Sequence, residues 1–441
     1  MRFLLAAAPL YGHVGPLAAI GGELRGRGHH VTLLTGDACS GLATDAGLEF
    51  RRLPDEAGGV VTHGRTRRRT RLLNGRDEIL DAFVRPLPAQ HDALAAVIRR
   101  DGPWDALVCD SAFLGALPLL LTPDREARPA VYGMSVTPLS FVSVDCAPFG
   151  SALQPGHTRW SRLRNRQIHW LLRHGPLRVV QRELDAALAR CGLPGGGLDF
   201  FDHAGQFDVT FHLGTAEFEY PRREMPPSVR FVGPLPPRPR AQHLPEWWDD
   251  LRHHPVVHVT QGTLDNQDLG KLIGPTVRAL ADDPVLTVVT TAGRPASAVC
   301  EAIGGPLPSN VRLACYLPYE QLLPRTAVLV SNGGYGGVQQ SLRHGVPLVV
   351  AGNSEDKPEV AARVRRVGAG IDLRTGRPSP RRIRRAVRRV LDDPAYRDNA
   401  EQLRQSILAL GDPRATVADT LEEVTGALCR SGSTARQSVG G

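Results

Sequence analysis

Residues 2–36, RFLLAAAPLYGHVGPLAAIGGELRGRGHHVTLLTG, alternate an apolar run, a glycine-containing loop, a helical stretch and a second apolar run. Two strands joined through a helix pair in parallel, because a crossover of that length carries the chain back to the same sheet edge. Pro16 suits a first helical position, and Gly28 sits where the helix should end. Further strands are expected at 105–109, 129–133 and 207–211, and the Arg-rich segment 151–200 reads as mostly helical, near a cleft. After residue 245 the alternation returns. PVVHVTQ, LTVVTT, VRLACY, AVLVS and PLVVA read as strands, with helical segments such as 268–282 and 335–344 between them.

At 441 residues the chain is long for one core. FVGPLPPRPRAQHLP at 231–245 carries five prolines and reads as a stiff connector. The expected division is an α/β domain over 1–230, the connector, a second α/β domain over 246–411, a helix over 412–428, and a disordered tail over 429–441.

A formal charge of +8 would suggest nucleic acid or membrane, yet the only lysines are Lys271 and Lys357 and the arginines are scattered. Two runs stand out. In RRIRRAVRR at 381–389 and just beyond, Ile383, Ala386, Val387 and Val390 form an apolar helical face, which leaves the arginines as a solvated one. RTRRRTR at 65–71 reads as a solvated loop, with contact to an anionic partner as the alternative. Basic residues here lack interleaved aromatics, so nucleic acid is not an expected partner. Seven cysteines with no CxxC pair suggest reduced, buried thiols in a cytoplasmic protein, and neither a disulfide framework nor a metal site. MRFLLAAAPL leads straight into a loop and helix and reads as a first core strand; no segment has the length to span a bilayer.

In open α/β sheets, ligands gather beyond the carboxyl ends of the strands. In the first half that rule selects His13, in the loop after the first strand, and Asp110, at the end of DALVC. A histidine with a carboxylate partner can act as a general base, although a lone loop histidine is also what an ordinary surface residue looks like. In the second half the rule selects QGTLDN at 261–266, the YLPY turn at 316–319, NGGYGG at 332–337 and GNSEDK at 352–357. Four glycines in 333–337, between a strand and a helix, permit positive φ and close backbone approach. The helix start behind them offers free N–H groups to a phosphate. An NAD-dependent oxidoreductase would use a similar layout, but Gln339 stands where the third glycine of its fingerprint belongs.

Taken in order, GHVGPL at 12–17, FVGPL at 231–235, SNGGYGG and GVPLVVAGNSEDKPEVAARV at 345–364 resemble the family 1 nucleotide-sugar-dependent glycosyltransferases. The resemblance implies a GT-B fold, two facing Rossmann-like domains with parallel sheets and an interdomain cleft, with the acceptor held by the first and the nucleotide sugar by the second. It makes His13 the base and Asp110 the acid that orients it. It assigns Tyr316 and Leu317 to the nucleobase and Gly262, Thr263, Asn332, Gly333, Gly334, Gly336 and Gly337 to the pyrophosphate. Gln340 falls on the ribose, and Asp356 with Lys357 on the sugar. Inverting transfer to a hydroxyl of an apolar small molecule is then expected, with a UDP- or TDP-sugar as co-substrate and neither cofactor nor metal. Four positions depart from the family pattern: Asn332 stands for His, Gly337 lacks a hydroxyl, Gln340 replaces Glu and Lys357 replaces Gln. These keep open a non-catalytic nucleotide-sugar-binding or auxiliary protein. For Lys357, pairing with Asp356 and pointing to solvent are both open. A homodimer is the one assembly considered.

Overall fold

The structure is a computed structural model that describes residues 1–59, 71–123, 128–237, 243–263 and 265–437. Residues 65–70 of the first arginine run, 238–242 of the proline-rich connector and position 264 lie outside the described residues. The first sheet contains β1 (Arg2–Ala6), β2 (His30–Thr35), β3 (Glu49–Arg52), β4 (Ala106–Asp110), β5 (Ala130–Ser135), β6 (Val209–His212) and β7 (Val229–Phe231). The second contains β8 (Val256–Thr260), β9 (Leu286–Thr290), β10 (Val311–Ala314), β11 (Thr326–Ser331), β12 (Leu348–Val350) and β13 (Gly370–Asp372). Their orders are β3-β2-β1-β4-β5-β6-β7 and β10-β9-β8-β11-β12-β13, and every pairing is parallel. In each sheet the strand order reverses once, between β1 and β4 and between β8 and β11. Those two switch points open a crevice at the carboxyl edge of each sheet. This is the GT-B architecture.

Strands covered by helices on both faces need continuous apolar runs. Phe3, Leu4, Leu5, Val257, Val259, Leu329 and Val330 are accordingly buried completely. The face Ile383–Ala386–Val387–Val390 is buried on the second sheet, as its spacing predicts. Among the described residues no helix is long and apolar enough to cross a membrane.

Four expectations need correction. The first helix spans Tyr11–Gly26, so Pro16 lies inside it and His13 belongs to its first turn rather than to a loop. His13 N and Val14 N both bond the Leu10 carbonyl, which starts the helix ahead of the proline. The C-terminal helix spans Pro413–Gln437, so the segment expected to be a disordered tail continues as helix to Gln437. No proline interrupts it after Pro413. That helix crosses back to the first half, where Val417, Ala418 and Leu421 pack with Val14 and Leu17. Arg27 donates to Asp419 at 2.6 Å and to Glu422 at 3.1 Å. Finally, Cys39, Cys109 and Cys146 are buried thiols, but Cys191 and Cys300 are half-buried and Cys315 is exposed.

Candidate active site

β1 delivers the chain to its carboxyl edge, and the Tyr11–Gly26 helix begins there with His13 in its first turn. β4 is the neighbouring strand across the switch point, and Asp110 is its last residue. The two side chains meet: His13 Nδ1 lies 2.9 Å from Asp110 Oδ2, with His13 15% exposed and Asp110 fully buried. A carboxylate only accepts, so Nδ1 carries the proton and Nε2 holds the free lone pair. Burial lowers the His13 pKa, but the charge of Asp110, its hydrogen bond and the charge of Asp356 outweigh it, and the net shift is upward.

Asp356 belongs to the second half. Its charge acts on His13, and the 2.9 Å hydrogen bond between His212, at the end of β6, and Tyr335, after β11, brings the two carboxyl edges together. Asp356 precedes the Lys357–Arg366 helix, in the loop that leaves β12. Burial lifts its pKa to about 6; Lys357 opposes the rise and Glu355 adds to it. Glu355 sits at φ 55°, a left-handed conformation that costs a non-glycine residue free energy and that clusters at ligand sites. Lys357 is 4% exposed, so it does not point to solvent. Its ammonium pairs with Glu355, not Asp356 as one expectation had it, and lies 3.4 Å from Ser354 Oγ. Asp356 lies within electrostatic reach of His13. Glu78, on the Arg71–Ile79 helix of the first half, has its pKa raised by burial and by Glu355.

The glycine loop lies at the second switch point, beside the loop that leaves β8. Asn332 does not present its amide freely to a ligand. Its Nδ2 donates to the Gln261 carbonyl, and its Oδ1 accepts from Gly334 N at 3.4 Å. The side chain is short and only 6% exposed, so it ties the two loops together. Gln261, to which the sequence assigned no role within QGTLDN, fixes the β8 loop: Oε1 accepts from Leu272 N and Ile273 N, and Nε2 donates to the carbonyls of Asp265 and Asp268. Gly262 takes φ 69°, and Thr263 beside it is exposed.

The first intrahelical bond of the Tyr335–Arg343 helix runs from Val338 N to Gly334 O. The N–H groups of Tyr335, Gly336 and Gly337 therefore precede the ladder and are open to an anion. A Cβ at Gly336 or Gly337 would meet nothing within 4 Å. Gly333 is different, since it has φ 87° and a Cβ there would fall 2.7 Å from Val350. Two outcomes follow from this contrast. Gly334→Val, at φ −60°, should keep the wild-type melting temperature and weaken binding of UDP or TDP by calorimetry. Gly333→Ala should instead cost about 1–3 kcal/mol of stability, read by thermal melting. Equal nucleotide affinity in Gly334→Val and wild type would reduce the loop to a plain turn.

Gln340 donates from Nε2 to the Leu235 carbonyl at 2.6 Å, which fastens the connector. Its Oε1 is buried with no hydrogen-bond partner, an acceptor suited to a hydroxyl. Tyr316 is 56% exposed and presents its ring, whereas the Leu317 side chain is packed in the core with Trp248 and Leu322. Leu317 can thus serve a ligand only through its backbone.

The largest omission from the sequence reading is a buried ionic cluster between the halves. Arg363 is fully buried and donates to Glu219 at 2.9 and 3.1 Å, to Glu359 at 3.0 Å and to the Leu139 carbonyl at 3.3 Å. Its guanidinium lies 4.0 Å over the Tyr220 ring. Glu359 Oε1 accepts from Gly150 N at 2.9 Å and Ala152 N at 2.8 Å. Tyr335, within the glycine loop, shares a 2.9 Å hydrogen bond with His212 of β6. Through these bonds the Lys357–Arg366 helix, which begins beside Asp356, holds the 139–154 segment of the first half at a fixed distance.

Comparison with known proteins gives the following. Residues 296–424 match the family described as erythromycin biosynthesis protein CIII-like, C-terminal domain. The 4'-demethylrebeccamycin synthase of Lentzea aerocolonigenes is 39% identical over 96% of this chain and 99% of its own length. UDP-glycosyltransferase 2 of Phaeomoniella chlamydospora is 34% identical over 96% of each. Among solved structures, the glycotransferase of kitacinnamycin superposes with a TM-score of 0.67 at 24% identity, covering 96% of this chain and 98% of that one.

Proposed function

The chain belongs to the glycosyltransferases of natural-product type, enzymes that transfer a sugar from a nucleotide sugar, and from that premise we propose an inverting transfer with His13 as base. The observation that carries this reading is the 2.9 Å His13–Asp110 contact at one switch point, facing Asp356 across the cleft. An acceptor hydroxyl gives its proton to His13 Nε2 as its oxygen attacks the anomeric carbon. The bond from that carbon to the diphosphate oxygen breaks in the same displacement, which inverts the centre. Asp110 stabilises the imidazolium that forms. The open N–H groups of Tyr335, Gly336 and Gly337 take up charge developing on the leaving diphosphate, with no metal or cofactor in the scheme. Asp356 accepts from a sugar hydroxyl, Gln340 Oε1 from the ribose, and the Tyr316 ring stacks on the base.

The co-substrate is a UDP- or TDP-sugar and the acceptor an apolar, hydroxylated small molecule, in a reaction placed in the cytoplasm. The name of one relative, a UDP-glycosyltransferase, supports the uridine donor. A thermal-shift series with UDP, TDP and GDP tests the donor side, since a ligand bound only to the folded state raises its stability. UDP or TDP should raise the melting temperature and GDP should not; silence from all three would remove the donor assignment.

Lys357 bears on the choice of sugar. Because its ammonium is held by Glu355, it sets the field around Asp356 more than it reaches outward. Lys357→Gln should raise the pKa of Asp356, whose charge Lys357 now favours, and reorder kcat/KM across a panel of nucleotide sugars at fixed acceptor. Affinity for the free nucleotide diphosphate should stay unchanged. An unchanged ranking would confine donor choice to Asp356 and the loop around Thr263.

A further inference from the structure

The Arg159–His174 helix, RWSRLRNRQIHWLLRH, contains no carboxylate and five arginines. Its inner face is clipped to the preceding segment: Asn165 Nδ2 donates to the Val144 carbonyl at 2.9 Å, Arg162 to Asp145 at 3.0 Å, and the His169 ring meets the Cys146 carbonyl at 3.2 Å. The outer face is unusual. Trp160 is 80% exposed, Trp170 and Leu171 59% each and Leu163 46%. Positions 160, 163, 167, 170, 171 and 174 share one side of a 3.6-residue helix, so these four apolar side chains form one stripe. Exposed Arg164 borders the stripe on one flank, and exposed Arg159, Arg166 and Arg173 border it on the other. Just beyond the helix, Val179 is also exposed.

We propose that this face docks the protein on an anionic lipid bilayer surface. Charge complementarity selects that occupant. A bilayer interface offers acyl chains beneath the stripe and negative head groups along both flanks at once, and it favours Trp at the boundary. The reading does not depend on the catalytic assignment, because none of these residues belongs to that site.

The test is co-sedimentation of the full chain with vesicles of equimolar phosphatidylcholine and phosphatidylglycerol, against vesicles of phosphatidylcholine alone. The intact protein should pellet with the anionic vesicles and shift its tryptophan emission to the blue. Trp104 and Trp248 are buried already and Trp247 is half-buried beside Trp248, so the shift reports chiefly on Trp160 and Trp170. Trp160→Ala/Trp170→Ala should lose the shift and at least about tenfold in partition. Arg159→Glu/Arg166→Glu should lose about fivefold or more per arginine. High salt should weaken binding, as the screening length falls from about 10 Å at 0.1 M to about 3 Å at 1 M. All these positions are on the surface, so melting temperature and nucleotide binding should not change. Failure to bind anionic vesicles, or binding that both double variants retain, overturns the proposal. So does a dimer in light scattering that Trp160→Ala/Trp170→Ala dissociates, which would assign the stripe to a second copy of the chain.

Discussion

His13→Ala is expected to lower kcat/KM by about 10²–10⁴-fold while UDP or TDP affinity stays at the wild-type value. The magnitude is that of a general base, and the separation of turnover from binding follows from geometry. His13 stands on the edge of the first sheet, and the open N–H groups and the Gln340 acceptor stand on the second. The pH profile carries an independent signature. The base works only when neutral, so kcat/KM should rise with pH through the His13 pKa, which Asp110 and Asp356 hold above its ordinary value. Asp110→Asn removes one of those charges, so the acidic limb should move to lower pH even as the rate at the plateau falls. A limb that stays in place would show that the titrating group is not His13.

The second large effect is on stability. Arg363→Met should destabilise the protein by about 3–5 kcal/mol, since it takes from buried Glu359 its ion pair and from buried Glu219 the nearest of its counter-charges. Burial pushes the Glu219 pKa up, but Arg363, His212 and Arg222 together hold it well below the usual carboxylate range. A carboxylate with a depressed folded pKa contributes stability above its unfolded pKa of about 4.3 and loses it as pH falls through the folded value. In Arg363→Met that depression shrinks, because Glu219 keeps only Arg222 at 3.8 Å and His212 at 3.5 Å, so less stability is left to lose on acidification. The gap in melting temperature between variant and wild type should therefore narrow on acidification. Arg363→Met/Glu219→Leu should recover part of the loss, because an apolar replacement removes one of the two carboxylates that lost Arg363. A constant gap from acid to neutral pH would mean that the loss comes from packing over Tyr220 alone.

The topology was legible because a helix between two apolar runs leaves one way to pair them. The missed strands are β3, β7 and β13, with sequences EFRR, VRF and GID. β3, β7 and β13 end their sheets, where an outer flank has no neighbour to demand an apolar run. The His13–Asp110 pair was legible as two polar residues at the carboxyl edge of one sheet, and only the strand order β1–β4 brings them into contact. Asn332 and Lys357 show the limit of motif matching. Each stands where the resemblance assigns a ligand contact, yet each is held by its own neighbours, Gln261 and Glu355. The ionic cluster escaped notice because Glu219 and Arg363 are 144 residues apart, and arginines in a basic chain look like solvated ones. A local signal did exist. Glu359 and Arg363, four apart, bracket the apolar Val360, Ala361 and Ala362 in a helix buried on nearly every side.

The anomeric configuration of the product tests the central claim most directly. A panel of apolar hydroxylated acceptors is incubated with an α-linked UDP- or TDP-sugar, and the anomeric proton of any product is assigned by NMR alongside the released nucleotide diphosphate. The account predicts one equivalent of diphosphate per sugar transferred, a β-linked product, and loss of both signals in His13→Ala. An α-linked product, or transfer that His13→Ala sustains at the wild-type rate, would contradict single displacement with His13 as base.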